Sequence, residues 1–233
     1  MPDPRRRRIV RNAAGVGLAT GAYGLSFGAL SVAAGLSPVQ TMVLSLVMFT
    51  GGSQFALVLV LGQGGTWPTA ASSAAMLGSR NVFYGPRVAE LLARPRGWRR
   101  LLTAQVTVDE TVAMALGQKD DEDARLAFWA TAAAIYPLWN LGTLAGAVGA
   151  ALLPDPKVFG LDAAAPAAFL ALLAPRLRGR APWLVGAAGA AVALTLVPVT
   201  RPGVPVIVAA LVAVVAGARG PREAAGRAAM EPG

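Results

Sequence analysis

The chain has 233 residues, of which 55% are hydrophobic and 14% charged, with a mean hydropathy of +0.55, a membrane composition rather than that of a soluble domain. Its net charge of +9 comes from arginines gathered beside apolar segments, as the positive-inside tendency predicts, and not from a patch built for nucleic acid. With no Cys and no His, a disulfide framework, a thiolate or histidine metal site, a Ser-His-Asp triad and an H-E-x-x-H zinc site are all excluded, and no Walker-type loop is present to drive ATP hydrolysis in this chain.

The N-terminus, PDPRRRRIVRN from Pro2 to Asn12, mimics a twin-arginine export signal, and residues 1–11 hold its basic part. The apolar run behind them is longer than an h-region and further apolar segments follow, so this stretch reads as a basic cytoplasmic N-terminus. From Asn12 to Ser79 there is no charged residue at all, which no soluble surface tolerates. Four basic connectors punctuate the rest: Arg5 to Arg8 with Arg11, then Arg94, Arg96, Arg99 and Arg100, then Arg176, Arg178 and Arg180, then Arg219, Arg222 and Arg227. All four are expected on the cytoplasmic side, which puts both termini there, with 12–218 as one transmembrane domain and 219–233 as a disordered tail.

Parity then constrains the spans. Three apolar segments separate the first two connectors: Asn12 to Leu36, Val39 to Leu61 and Trp67 to about Tyr84. Three more separate the second and third: Leu101 to Gln118, Leu126 to Leu153 and Ala163 to Pro175. An even number of crossings is needed in each case, so one segment of each triple must dip in and return, or be a broken helix. The first is assigned to Val39–Leu61, because Gly51-Gly52 in MFTGGSQFA interrupts it, and the second to Leu101–Gln118, which carries Asp109 and Glu110 at its middle. Ala181 to Thr200 and Pro202 to Ala218 form a final pair. The predicted fold class is therefore all-α, a polytopic integral membrane protein with about six crossings and two partial, re-entrant or broken helices.

Gly17, Gly21, Gly24 and Gly28 line one face of the first helix, and Gly142, Gly146 and Gly149 repeat the spacing after Trp139-Asn140; both stripes read as close helix packing. Pro137, Pro166, Pro198 and Pro205 mark places where a missing amide can bend a helix. A carboxylate near a bilayer centre costs on the order of 3 kcal/mol, so Asp109 or Glu110 is retained for a partner, an ion or a proton if that segment is buried; the alternative is a short interfacial helix with a wet acidic face. Arg80, beside Asn81 and Tyr84, is either the partner of this acidic pair or snorkels to the interface with Arg87. Asp120 to Asp123 reads as a solvated loop.

MFTGGSQFA, SRNVFYG, the VDET tetrapeptide, YPLWNLGTLAGAVG and GLDAAAPAAFLALL, in that order, resemble the AzlC type, the large subunit of branched-chain amino acid exporters. The resemblance runs from about Tyr23 to Leu173 and rests on the ordered set of motifs. It implies a multi-span permease of the cytoplasmic (inner) membrane that works with a small AzlD-type membrane protein and moves valine, leucine, isoleucine or methionine outward, without a cofactor. Its Gly-x-x-Gln-Phe element falls on Gly51, Ser53, Gln54 and Phe55, and its Asp-Glu element on Asp109 and Glu110. Where the family pattern has Asn-x-Arg-His before Tyr-Gly, this chain has Gly78, Ser79, Arg80 and Asn81 before Tyr84-Gly85, so a proton or substrate role for that histidine is lost or moved here.

The functional expectation is a secondary transporter coupled to protons, not an enzyme. Gly51, Gly52, Ser53, Gln54, Phe55, Arg80, Asn81 and Tyr84 are the expected substrate-binding residues, with Asp109 and Glu110 for proton coupling, since a chain without His has few other groups that titrate near neutrality. Phe27, Phe49, Phe55 and Met48 are available for apolar contact. The other readings are a channel or the membrane subunit of an ATP-driven transporter, and an intramembrane enzyme using Asp109 with Asp162.

Overall fold

The computed structural model describes residues 3–152, 170, 173–174, 177 and 179–219, and every regular element among them is helical. The chain divides into two units, Met1–Ala171 and Leu172–Gly233. Asp162, Pro166, Arg176, Arg178, Arg222 and Arg227 lie outside the described residues, as does nearly all of the expected segment from Ala163 to Pro175. By length and composition one described helix is long and apolar enough to cross a membrane unaided, and four more are shorter apolar helices.

The first unit is built on two long helices, α1 (Pro4–Ala33) and α8 (Asp121–Ala151). α1 begins at Pro4 rather than at Asn12, because the Asp3 side chain accepts the Arg5 amide at 2.9 Å and Pro4 supplies a helix-compatible φ where no amide is needed. The two helices run parallel. Arg5 at the start of α1 lies 3.1 Å from Asp120 and 3.4 Å from Asp123 at the start of α8, and Arg6 pairs with Glu122, while Gly28 near the end of α1 meets Thr143 and Ala147 near the end of α8. The first stripe and Gly142 and Gly146 of the second face this seam: a Cβ on Gly28 would collide with the Thr143 carbonyl, and one on Gly146 with that of Leu25, whereas Gly149, expected to pack here too, is exposed with nothing within 4 Å. Lipid gives apolar helices no hydrophobic reason to associate, so close backbone approach of this kind is what joins them.

The acidic run at the start of α8 corrects the solvated-loop expectation. Asp120 is the N-cap, accepting the Asp123 amide at 2.9 Å, and Asp121 to Asp123 form the first helical turn. Asp123 is only 6% exposed. The cause is electrostatic: acids complement the positive end of the α8 dipole, and the parallel α1 brings its arginines to the same place. Pro137 sits inside α8, where it removes the amide that would bond the Ala133 carbonyl.

Between the long helices the chain makes two hairpins and one broken traverse. α2 (Pro38–Val47) starts directly after α1, its N-terminus fixed by a reciprocal pair in which Ser37 and Gln40 each accept the other's amide. It runs back beside α8, with Ser45 opposite Asn140 and Thr143 and then Phe49 against the Tyr136 ring at 4.8 Å. α3 (Gly52–Gly62) returns, and a Cβ on Gly62 would sit 3.3 Å from the Ala34 side chain, so this hairpin begins and ends at the same end of α1. α4 (Trp67–Gly78), a 3-10 segment (Ser79–Tyr84) and α5 (Gly85–Leu91) then carry the chain to the opposite end, where Arg125 of α8 donates to the Leu91 carbonyl at 2.7 Å. From there α6 (Trp98–Gln105) runs inward and α7 (Asp109–Leu116) outward to the start of α8. Each segment expected to be broken is therefore two short helices.

The core of this unit centres on Phe27, Phe55, Ile135 and Trp139, all at most 3% exposed. Phe27 stacks on Trp139 at 5.8 Å and meets Phe55 edge-on at 5.6 Å, tying α1, α3 and α8 together halfway along their length. In the second unit α9 (Arg180–Leu196) and α10 (Val204–Arg219) pack on one another across a turn containing Gly203 at φ 92°, as the last predicted pair anticipated.

Candidate functional site

The two hairpins enter from opposite ends of the α1–α8 pair and meet at their tips. The tip of the first is Met48–Gly51. α2 stops at Val47, and Gly51 takes φ +62°, a conformation that side chains with a Cβ disfavour. Gln54, fully buried, holds the break: its Oε1 accepts the Gly51 amide at 3.0 Å and its Nε2 donates to the Leu44 carbonyl at 3.3 Å. The second tip is Val106–Val108. There Thr111 does the same work, accepting the Val108 amide at 3.0 Å while the Val106 and Val108 carbonyls share its one hydroxyl hydrogen.

The C-terminal carbonyls of α2 lack partners in their own helix and are taken up by side chains. Gln105, the last residue of α6, donates to the Leu46 carbonyl at 2.8 Å and the Val47 carbonyl at 3.3 Å, and Tyr136 donates to Leu46 at 3.2 Å. The second hairpin thus caps the first.

Against this junction lies an ionic cluster. Arg80 and Asp109 pair at 2.9 Å, the arginine side chain 37% exposed and the carboxylate 20%, and the Tyr84 hydroxyl donates to the other Asp109 oxygen at 2.8 Å. Asp109 opens the first turn of α7, where the helix dipole favours a negative charge, and Glu110 lies partly buried beside it. Arg80 reaches back to the first hairpin, since a Cβ on Gly52 would stand 3.3 Å from its guanidinium. Helix geometry leaves the first amides of α3, at Gly52 and Ser53, without an acceptor in their own helix, and the guanidinium stands over that same end. Four further groups near the junction are buried with no hydrogen-bond partner among the described residues: the Ser53 and Thr50 hydroxyls, the Asn81 carbonyl oxygen and the Arg80 Nε. The result is a set of donors, the Asn81 acceptor and one acidic pair, gathered where two broken helices and a 3-10 segment converge.

Of the residues singled out in the sequence, Gly52, Arg80, Tyr84 and Asp109 come together here, with Ser53 and Asn81 alongside. Gly51 and Gln54 shape the backbone of the tip, and Phe55 is 2% exposed in the aromatic core. The pairing of Arg80 with Asp109 resolves the choice between partner and snorkelling in favour of partner. Sequence reasoning missed Gln105, Tyr136 and the buried Ser45, whose hydroxyl donates to Asn140 at 2.8 Å. A buried serine on an apolar half-helix and an Asn following Trp139 were the available signals. Asp162, the second acid of the enzyme reading, lies outside the described residues.

The family model described as AzlC protein matches residues 15–153, which span both hairpins and the ionic cluster. An uncharacterized membrane protein of Archaeoglobus fulgidus is 31% identical over 190 residues, covering 80% of this chain and 82% of that protein. No solved structure matches.

Proposed function

The chain belongs to the AzlC family and is a membrane protein, and from that premise we propose that it is a secondary transporter exporting branched-chain or similar apolar amino acids across the cytoplasmic membrane, coupled to proton influx. The observation that carries this reading is the Arg80–Asp109 pair at the junction of the two hairpins. An amino acid presents one carboxylate and one ammonium, and the junction offers a counterpart to each. The substrate carboxylate takes the amides at the start of α3 together with Arg80, and the ammonium takes Asp109 or Glu110. Phe27, Phe49 and Met48 bound the apolar side chain. The amino acid inserts between Arg80 and ionised Asp109, and protonation of Asp109 removes the counter-ion of the ammonium and releases the substrate, so proton and amino acid occupy the same carboxylate in turn.

In this reading α1, the α4–α5 traverse, α8, α9 and α10 are five of the six expected crossings, the sixth falling on residues outside those described, with α2–α3 and α6–α7 as re-entrant hairpins from opposite faces. Both termini are then cytoplasmic. Non-helical backbone at membrane depth survives only under protein cover, which the side-chain caps on Leu44, Leu46 and Val47 supply. A small AzlD-type membrane protein is the proposed partner.

The test is valine export from vesicles carrying the chain with its small partner under an imposed proton gradient. Asp109→Asn and Arg80→Gln should each abolish gradient-driven export while leaving insertion intact. Parental export with an unchanged pH dependence in both variants overturns the mechanism.

A further inference from the structure

At the end of the molecule where α1 and α8 begin, away from the hairpin junction, α6 and α8 border a groove of about 450 Å³. Its walls are apolar, formed by Trp98, Leu102 and Trp129, and its cations are Arg99 and Arg125; among the described residues no carboxylate lines it. Arg125 is anchored by its Nε to the Leu91 carbonyl at 2.7 Å, and its two terminal amino groups make no hydrogen bond within the described residues. The Arg99 guanidinium lies over the Trp98 ring, 5.6 Å from the centroid. Thr103, 5% exposed, also lines the groove, and its hydroxyl is buried without a partner among the described residues. The rim is held in an unusual backbone shape: Ala93 and Arg94 take φ of 54° and 53°, and the Arg94 amide donates to the Ala89 carbonyl at 2.6 Å. Two successive left-handed residues other than glycine are strained and persist only where their surroundings impose them.

We propose that this groove binds one anionic phospholipid of the cytoplasmic leaflet. The phosphate takes Arg99, Arg125 and the orphan Thr103 hydroxyl, while the glycerol and upper acyl carbons lie on Trp98, Leu102 and Trp129. Two cations without a carboxylate call for an anion, and the apolar walls beside them call for an amphiphile rather than a free ion. Trp98, 68% exposed, together with Leu101, 74% exposed, on α6 makes the apolar surface continuous with the surrounding lipid. Tryptophan beside arginine is the side-chain pair that membranes hold at headgroup depth. The site does not depend on transport; only its leaflet follows from the orientation proposed above.

The full chain, purified in a zwitterionic detergent, is titrated with dioleoyl phosphatidylglycerol and dioleoyl phosphatidylcholine, and retained lipid is read by native mass spectrometry. The parent should prefer the anionic lipid by roughly thirtyfold, the gain expected from two arginines near a headgroup. Arg99→Gln with Arg125→Gln should bring the preference close to unity. Should that pair fail to fold, Thr103→Val, which preserves shape, should lower the retention of phosphatidylglycerol about threefold through the lost hydroxyl bond to the phosphate. Arg7→Gln with Arg8→Gln, exposed on α1 and outside the lining, should retain the preference. Equal retention of the two lipids, equal loss in the control pair, or displacement of the lipid by equimolar glycerol 3-phosphate would each overturn the assignment, the last by making a soluble phosphate the ligand.

Discussion

At the scale of single residues, the junction depends on side chains that replace missing helix hydrogen bonds. Gln54 is buried and makes two such bonds, to the Gly51 amide and to the Leu44 carbonyl. Gln54→Leu keeps the volume and deserts both groups, so it should cost about 2 kcal/mol in detergent unfolding, since each orphaned buried group carries a desolvation penalty. Gln54→Glu keeps the acceptor and loses the donor, and should fall between the two. Arg80 and Asp109 require a different comparison. Each single neutralisation leaves one charge of the pair without its partner, whereas Arg80→Gln combined with Asp109→Asn removes both. The double variant should be more stable than the sum of the singles by about 1 kcal/mol, a modest coupling because the arginine is partly exposed. A coupling of zero would mean that the pair is incidental, even if both singles abolish export.

At the scale of elements, the seam between α1 and α8 is a fit of backbone to backbone. Gly28→Ala places a methyl against the Thr143 carbonyl and should destabilise the chain by about 3 kcal/mol, because neither helix backbone can yield. Gly15→Ala, on the same helix with nothing within 4 Å, should instead stabilise it by about 0.5 kcal/mol through helix propensity. Thermal unfolding of the two variants side by side separates packing from propensity. The stripe was legible in the sequence because glycine repetition at three and four residues has few other uses. Both breaks were legible for related reasons: a Gly-Gly pair interrupts one apolar run and an acidic pair the other, and parity required a fault in each. The start of α8 was not legible, because a run of acids between polar residues looks the same whether it is solvated or caps a helix. What decides is the approach of Arg5 from a distant part of the chain, and spacing carries no information about that. The same holds for Gln105, whose role exists only because the Leu46 and Val47 carbonyls face it.

At the scale of the whole molecule, the arrangement of the two hairpins makes a claim about sides that chemistry can check. If α2 and α3 were one kinked crossing, residues before and after them would lie on opposite faces of the membrane. The geometry instead returns Gly62 to Ala34, at the end where α2 begins. Val39, 73% exposed near the start of α2, and Gln63, just past α3, must then share a face, and Arg100 and Lys119, flanking the second hairpin, must share the other. The chain contains no cysteine, so single-cysteine variants at these four positions need no altered background. In intact cells an impermeant maleimide should label Val39→Cys and Gln63→Cys, while Arg100→Cys and Lys119→Cys should react only after permeabilisation. Labelling of Val39 and Gln63 from opposite faces would make the first hairpin a crossing. The ionic cluster would then sit at a kink in a spanning helix rather than between two re-entrant tips, and alternate access to it from the two faces would need another structural basis. Labelling as expected leaves Arg80 and Asp109 at the meeting point of elements anchored on opposite faces, where a small movement of either hairpin opens the pair to one side only.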